Sequence, residues 1–333
     1  MGFIPADNLL INLIVIAIAF VILTKSADFL VDGAVGMAYE FRLPKMIIGI
    51  VLVGFATTAP EFTVSLISSL EGFPEIALGN AVGSVIADNA FALSLGIIVA
   101  PAAISVHSRT LSIYGLFLLA VSILTFVLVI NGEISRAEGV LLLVLLVGYL
   151  AFMYWDEKRR RRDGLGDQIS EDLEEHRKPG ALAHQIGRFL IGVVGIIIAS
   201  RFLVDSAVNT AKIFRVSEAV IGLTIVAIGT SLPEIATCIV ASRKGHGDLA
   251  FGDILGANLL NLLWIIGAAA TARPISVSQK VIFFSFPAML FFVLLLLVFT
   301  WTGFKLEKWE GVVLFGCYIA YTGLAIIFLY LAA

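Results

Sequence analysis

The sequence carries very little charge. Only 14% of its 333 residues are Asp, Glu, Lys or Arg, whereas a soluble globular domain usually carries about 25%. Hydrophobic residues make up 59% of the chain, and the mean hydropathy is +1.02. A water-soluble fold of this length could not bury so much apolar surface, so the composition predicts an integral membrane protein in contact with lipid.

Cysteine and histidine are scarce as well. The two cysteines, Cys238 and Cys317, lie in apolar runs without CxxC spacing, which is typical of small buried hydrophobes. The four histidines fall at predicted helix ends or in loops, and neither HExxH nor GxSxG occurs. An intramembrane enzyme needs a nucleophile with its base, or a metal with an open coordination position. We therefore expect no enzyme and no cofactor. The net charge of −3 and the lack of a basic stripe also predict no nucleic-acid partner.

Ten apolar segments are long enough to span a membrane, for which about 20 residues suffice. The one long polar stretch, 156–184, contains five consecutive bases from Lys158 to Arg162 and then an acidic run. Positive charge favours the cytoplasmic side, so this linker is expected to be cytoplasmic and both termini extracellular. The predicted spans are 8–40, 45–70, 75–99, 109–131, 134–155, 185–214, 217–242, 248–271, 279–301 and 307–331.

The chain contains an internal repeat at a single ungapped offset of 173 residues. Each copy holds five predicted spans, and an odd number of spans forces the second copy to insert upside down. The sequence thus predicts an all-α membrane protein, with ten transmembrane helices arranged as two inverted five-helix repeats, 1–155 and 185–333. The matching pairs are FLVD 29–32 with FLVD 202–205, Gly49 with Gly222, ATTAPE 56–61 with GTSLPE 229–234, and LGNAVGSVIAD 78–88 with FGDILGANLLN 251–261.

Each copy has a proline followed by a glutamate in the middle of its second span. Pro60 lacks an amide hydrogen and therefore frees carbonyl oxygens one turn earlier, and Thr57 and Glu61 share one helix face. A proline kink repaired by a hydroxyl is common in membrane helices, but it does not explain a glutamate directly after each proline. The second copy repeats the pattern with Thr230, Ser231, Pro233 and Glu234.

Three carboxylates fall at bilayer depth, where each costs several kcal/mol: Glu61, Glu234 and Asp88. Asn261 is the repeat partner of Asp88, and Asn89 and Asn258 lie nearby with either a structural or a functional role. Carboxylates, amides, hydroxyls and freed carbonyls are hard oxygen ligands, which suit calcium or sodium and not zinc or copper. The buried negative charges need compensation by positive charge, which either several sodium ions or one calcium ion could supply. Because the two kinds of ion would exclude each other from the site, such a site provides a physical basis for antiport.

These motifs resemble those of the cation/calcium antiporter superfamily, specifically its prokaryotic sodium/calcium exchangers. The alpha-1 motif covers 56–89 and the alpha-2 motif covers 229–261. The resemblance implies a sodium-for-calcium antiporter of the plasma membrane, expected to be monomeric, in which spans one and six slide across a core. It implies that the glutamates bind both ions and that Ser84 binds sodium. Oxygens of Thr57 and Thr230, with Thr58 and Ser231 beside them, would complete the site.

Two positions depart from the family pattern. The family has asparagine in the first repeat and aspartate in the second, whereas this chain has Asp88 first and Asn261 second. Ala257 stands where the family has a serine that helps to bind sodium. Proton coupling and potassium dependence remain open alternatives for the antiporter. A channel is an alternative to a transporter, but a channel usually needs a continuous selectivity pore. The pseudo-symmetric buried site favours a transporter with alternating access.

Overall fold

The computed structural model describes residues 8–41, 43, 45–162, 182–214, 227–279 and 281–331, which are almost entirely helical. Nine helices in these ranges are long and apolar enough to cross a membrane. The first half contains α1 (Leu9–Phe41), α2 (Lys45–Glu71), α3 (Pro74–Val99), α4 (Leu111–Val129) and α5 (Arg136–Arg162). The second half contains α6 (Leu182–Ile213), α7 (Ala227–Thr230 and Leu232–Arg243), α8 (Gly247–Ala272), α9 (Val281–Trp301) and α10 (Lys308–Leu331).

The observed helices agree with nine of the predicted spans to within a few residues. Of the seventh predicted span, residues 217–226, including Gly222, lie outside the described residues. The edges of the predicted linker 156–184 are helical, because α5 continues to Arg162 and α6 begins at Leu182. The remainder of the linker, 163–181, lies outside the described residues.

Helix α8 lies at the centre of the bundle and α1 lies at its periphery. In the most apolar 18-residue window of each helix, 94% of residues are buried in α8 and 22% in α1. Two glycines bring α8 against the start of α2. A β-carbon at Gly252 would lie 2.4 Å from the carbonyl oxygen of Met46, and one at Gly256 would lie 2.3 Å from that of Ile50. Only glycine permits this approach of two backbones.

The sequence predicts the same close approach for Gly79 and Gly83 on α3. Among the described residues, no atom lies within 4 Å of a β-carbon placed at either position. The repeat offset places the expected contacting positions at 219 and 223, which are outside the described ranges.

The two longest helices, α1 and α6, pack side by side along the outside of the bundle. They contain 33 and 32 residues, so each is about 50 Å long and exceeds the hydrocarbon core of a bilayer. Glycines again allow close contact: a β-carbon at Gly192 would lie 2.4 Å from the amide nitrogen of Leu30, and one at Gly33 would lie 2.6 Å from that of Phe189.

A group of four charged side chains joins α1 to both α6 and α7. Asp32 on α1 forms an ion pair with Arg188 on α6. Lys244, which follows α7, lies 2.7 Å from Asp32 and 3.1 Å from Asp28. We call Asp28, Asp32, Arg188 and Lys244 the charge cluster. Within the described residues, the ion pairs of this cluster connect the outer helices α1 and α6 to the end of α7 in the central bundle.

Two short β-ribbons connect the halves. Strand β1 (Ile104–Ser105) pairs with β4 (Lys305–Leu306), and β2 (Glu133–Ile134) pairs with β3 (Ile275–Ser276), both antiparallel. Because α4 separates β1 from β2 along its whole length, the two ribbons lie at opposite ends of the bundle. Each ribbon therefore takes one strand from each half of the chain.

Irregular helix geometry recurs at the repeat offset. A π-helical segment, Asp88–Ala92, interrupts α3, and another, Asn261–Ile265, interrupts α8 at positions 173 residues later. Such segments are rare and are frequent at functional sites. Both begin at a residue that the sequence predicts to be in the cation site.

Candidate cation site

The first arm of the site is the middle of α2. The helix continues through Pro60, and Thr57, Thr58 and Glu61 are all at most 1% exposed. The Thr58 hydroxyl donates to Glu234 Oε1 at 3.4 Å, so the two predicted motifs meet across the halves of the chain.

The second arm is α7, which is broken where α2 is continuous. Its helix stops after Thr230, turns at Ser231 and resumes at Leu232 with Pro233 in the first turn. The break places Glu234 in the first turn of a helix, where the unpaired amides and the helix dipole favour a carboxylate. Ser231 and Glu234 are buried, and Thr230 is half-buried.

Helices α3 and α8 supply the acid and amide pair. Asn261 Nδ2 lies 3.5 Å from Asp88 Oδ2, so the residues that match in the repeat also meet in space. Ser84, one turn before Asp88, is buried and its hydroxyl has no partner among the described residues. Asn258 donates to Asn89 Oδ1 at 2.7 Å, and Asn89 donates to the carbonyl of Val85 at 2.9 Å. These bonds support the structural role for Asn89.

The sequence interpretation missed a fourth buried acid, Asp253 on α8. It is fully buried, and the Thr57 hydroxyl lies 3.2 Å from its Oδ1. Helical spacing contains a signal that could have found it. Asp253, Ala257 and Asn261 are four residues apart and lie on one face of α8. Asn80 is the repeat partner of Asp253, as Asp88 is of Asn261.

The four buried carboxylates lie close enough to repel one another. Glu61 interacts electrostatically with Glu234, Asp88 and Asp253. Asp88 likewise interacts with Glu234 and Asp253. None of the buried residues in the described ranges is a lysine, arginine or histidine that could neutralise them. A group of unpaired negative charges in this environment requires positive charge from elsewhere.

Five of the eight carboxylate oxygens of the site acids have no described hydrogen-bond partner, unlike those of a structural acid. Glu310, at the start of α10, is only 2% exposed, but it accepts from the Glu307 amide at 2.7 Å and from the Thr302 hydroxyl at 3.2 Å. It thereby caps the helix. Among the four site acids, by contrast, both oxygens of Glu61, Asp88 Oδ1, Glu234 Oε2 and Asp253 Oδ2 have no partner in the described part of the chain.

Carboxylates alone do not form a complete metal shell here. Within the described ranges, no three Asp, Glu, His or Cys side chains are grouped closely enough to hold a metal ion. A cation between α2, α3, α7 and α8 would need neutral oxygens as well, and buried hydroxyl and amide groups are present. The unpartnered ones include Ser84 Oγ, Ser231 Oγ, Asn258 Oδ1 and Asn261 Oδ1.

The chain resembles known proteins over almost its full length. The family described as sodium/calcium exchanger protein matches residues 11–155 and 184–327. The sodium/calcium exchanger MaX1 of Methanosarcina acetivorans is 28% identical, over 93% of this chain and 97% of MaX1. The inner membrane protein YrbG of Escherichia coli is 36% identical, over 77% of this chain and 78% of YrbG.

A solved structure shares the fold. The sodium-calcium exchanger NCX_Mj, soaked with 10 mM Na⁺ and 10 mM Sr²⁺, superposes with a TM-score of 0.78 at 24% identity. The superposition covers 94% of this chain and 98% of that one. The family match, the shared fold and the apolar helices lead to one assignment. The chain is an integral membrane transporter that belongs to the sodium/calcium exchanger family.

Proposed function

We propose that the protein exchanges sodium for calcium across the membrane by alternating access. The observation that carries the proposal is the burial of Glu61 and Glu234, one from each half of the chain, with carboxylate oxygens that have no described partner. Calcium takes 6–8 oxygens in tolerant geometry, and sodium also prefers oxygen. Either ion would compensate the charge, and one would displace the other.

The ion-binding residues of the proposal are those predicted from the sequence. The glutamates are the central ligands for both ions, and the neighbouring oxygens complete the shells in different combinations. The full proposed set is Glu61, Glu234, Asp88, Asn261, Thr57, Thr230, Thr58, Ser231 and Ser84.

The proposed architecture is two inverted five-helix repeats, 1–155 and 185–333, joined by a cytoplasmic linker at 156–184. Three features support it: the 173-residue offset of the π-helical segments, the pairing of each ribbon across the halves, and the motif contact between Thr58 and Glu234. In this arrangement the long pair α1 and α6 slides over the remaining helices and exposes the site first on one side, then on the other. Both termini would lie outside the plasma membrane, and one chain would suffice as a monomer.

Transport in vesicles tests the proposal. The purified protein would be reconstituted, and radioactive calcium uptake measured with an outward sodium gradient, then with a pH gradient, each with and without potassium. We expect uptake to follow the sodium gradient. Uptake that follows only the pH gradient would establish the proton-coupled alternative, and an absolute requirement for potassium would establish the potassium-dependent one.

Substitution of the two glutamates identifies the site. We expect Glu61→Gln and Glu234→Gln each to abolish calcium exchange, since the amide keeps the shape and removes the charge. Membrane insertion and monodispersity in detergent should be unchanged. Glu71→Gln is the matched control, because Glu71 ends the same helix and is exposed. Normal exchange by both site variants would show that the site lies elsewhere.

A further inference from the structure

An apolar groove of about 660 Å³ lies between α2 and α5, at the end of the bundle where α5 carries its bases. Its volume is within the range of about 300–1,000 Å³ that suits a small-molecule ligand. Side chains of α1 and α2 form one wall, and side chains of α5 form the other. The walls include Phe41, Ile48, Val51, Leu150, Met153 and Lys158.

The groove follows one face of α5 and is open at the side. Leu150, Met153 and Tyr154 line it three or four residues apart, and Lys158 lies one turn beyond Tyr154. From Leu150 to Lys158 the helix rises about 12 Å, which is close to the roughly 15 Å of hydrocarbon in one leaflet. Met153 is buried at the floor of the groove, whereas Phe41 and Tyr154 are exposed at its rim. The groove therefore has the length and the opening that an acyl chain entering from the bilayer needs.

Aromatic and basic side chains place the end of this groove at the membrane surface. Tyr154 and Trp155 are 64% and 68% exposed, and such rings concentrate at the level of the lipid headgroups. Lys158 is exposed one turn later, and α5 continues as a helix to Arg162. A group of bases immediately beyond a membrane span attracts anionic lipid headgroups.

The charge at this end of α5 is positive on balance. Residues 156–162 contain five bases and two acids, which gives a net charge of +3. Asp156 is paired with Arg109, whose Nη2 lies 2.6 Å from its Oδ1. Glu157 also lines the groove beside Lys158, so the positive excess comes from Lys158 and the four arginines that follow it. An anionic headgroup is therefore favoured here over a zwitterionic one.

The other half of the chain has no counterpart to these bases in its sequence. At the repeat offset, Lys158 matches Leu331 and Arg159 matches Ala332. Leu150 likewise matches Gly323, which has no side chain to form a wall. The groove and its bases thus belong to one half of the chain, unlike the paired motifs of the cation site, and they require an explanation other than ion binding.

We propose that the groove binds one anionic phospholipid, with an acyl chain along the apolar walls and the phosphate at Lys158. In the proposed orientation of the chain, this lipid comes from the cytoplasmic leaflet. Packing of the chain against Ile48, Val51 and Leu150 supplies affinity by dispersion, and Lys158 supplies the preference for an anionic headgroup. Because Phe41 ends α1, the bound lipid also contacts the helix pair that is proposed to slide.

Native mass spectrometry of the full chain, released from detergent micelles, tests the headgroup preference. Phosphatidylglycerol and phosphatidylcholine with the same acyl chains would be titrated separately, and the Kd of the first bound lipid measured. We expect phosphatidylglycerol to bind more tightly. Lys158→Gln should weaken its binding about fivefold, the usual effect of one base near a membrane surface, and leave phosphatidylcholine binding unchanged.

The control for charge is Lys308→Gln. Lys308 is an exposed lysine that begins α10, beside Trp309 and at the same end of the bundle, but it is not among the residues that line the groove. We expect this variant to bind both lipids as the unsubstituted protein does.

A second pair of variants tests the groove itself. Leu150→Trp places an indole where the acyl chain lies and should weaken binding of both lipids while every base is retained. Val147→Trp, at an exposed position one turn earlier on α5, is the matched control and should leave binding unchanged. The thermal midpoint in detergent without added lipid checks that both variants are folded.

Each outcome decides the proposal. Equal affinity for the two lipids, or an equal effect of Lys158→Gln and Lys308→Gln, would overturn the headgroup contact. Undiminished binding by folded Leu150→Trp would overturn the groove, because the bases alone would then attract the lipid. These results do not depend on ion transport, so their failure would leave sodium–calcium exchange in place, and failure of exchange in vesicles would leave the lipid site in place.

Discussion

Breaking the charge cluster should shift the balance between the conformations of the transporter. Asp32 binds both Arg188 and Lys244, and these side chains are 30–34% exposed. If α1 and α6 slide relative to the central bundle, the bond to Lys244 must break in each cycle. Asp32→Asn removes the shared charge and should lower the population of the conformation that contains the cluster.

The magnitude follows from the exposure of the pairs. A partly exposed ion pair is worth about 0.2–1 kcal/mol, so the two pairs of Asp32 contribute about 0.4–2 kcal/mol together. A difference of about 1.4 kcal/mol is tenfold in an equilibrium constant. The substitution should therefore change the conformational equilibrium by a factor of about 2 to 30.

Distances between spin labels measure this equilibrium. Labels at Ile18 on α1 and Val144 on α5, both exposed apolar positions, would report the sliding of α1 as two distance populations. The matched control is Asp205→Asn. Asp205 is the repeat partner of Asp32, is exposed, and makes no ion pair with another described residue. Identical populations in the unsubstituted protein and Asp32→Asn, or an equal shift in both variants, would refute the reasoning.

Three further predictions test separate features. Ala257→Ser should raise the apparent sodium affinity, because it adds a hydroxyl to the buried face that carries Asn261; a sodium titration of exchange with no change would remove that role for the position. Gly256→Ala should lower the thermal midpoint, because its β-carbon would lie 2.3 Å from the Ile50 carbonyl and overpacking costs about 1–3 kcal/mol. The control Gly148→Ala, whose β-carbon meets no described atom within 4 Å, should stabilise α5 slightly. The pKa of His246 is lowered, mainly by burial and secondly by the charge of Lys45. The unfolded chain therefore binds more protons at this residue than the folded chain does, and the free energy of unfolding should fall as the pH drops below about 6.5. Thermal unfolding between pH 8 and 5 measures this, and a His246→Gln variant with an identical slope would contradict it.

The sequence could single out the residues of the candidate site because charge at bilayer depth is rare. Glu61 and Glu234 follow prolines in the middle of apolar segments, and the repeat offset pairs Asp88 with Asn261. The structure buries all four and brings Asn261 within 3.5 Å of Asp88. Asp253 was missed because it lies nearer the start of its span and matches a neutral asparagine in the other copy. Asp253 lies on the same helix face as Ala257 and Asn261, so helical spacing identifies it as a candidate site residue where the comparison of the two repeats does not.

Other features depend on long-range contacts that sequence patterns do not encode. The π-helical segments at Asp88–Ala92 and Asn261–Ile265 contain no proline or glycine, so local composition gives no reason to expect them. The two-residue strands are too short for any alternation to be visible. They form because segments more than a hundred residues apart meet at the ends of the bundle. The difference between α2, which is continuous, and α7, which breaks at Ser231, likewise does not follow from the two motifs, which have Thr, Pro and Glu at the same spacing.

The β-ribbons restrict which movements the protein can make. Because β1 joins β4 at one end and β2 joins β3 at the other, the helices that flank these strands, α3–α5 and α8–α10, are linked to each other at both ends of the bundle. Rotation of one half as a rigid body against the other would break the backbone hydrogen bonds of one or both β-ribbons. Helices α1 and α6 flank no strand, so a movement of this pair alone would leave both ribbons intact. The ribbons therefore favour the proposed movement of the outer helix pair over a rotation of one half against the other.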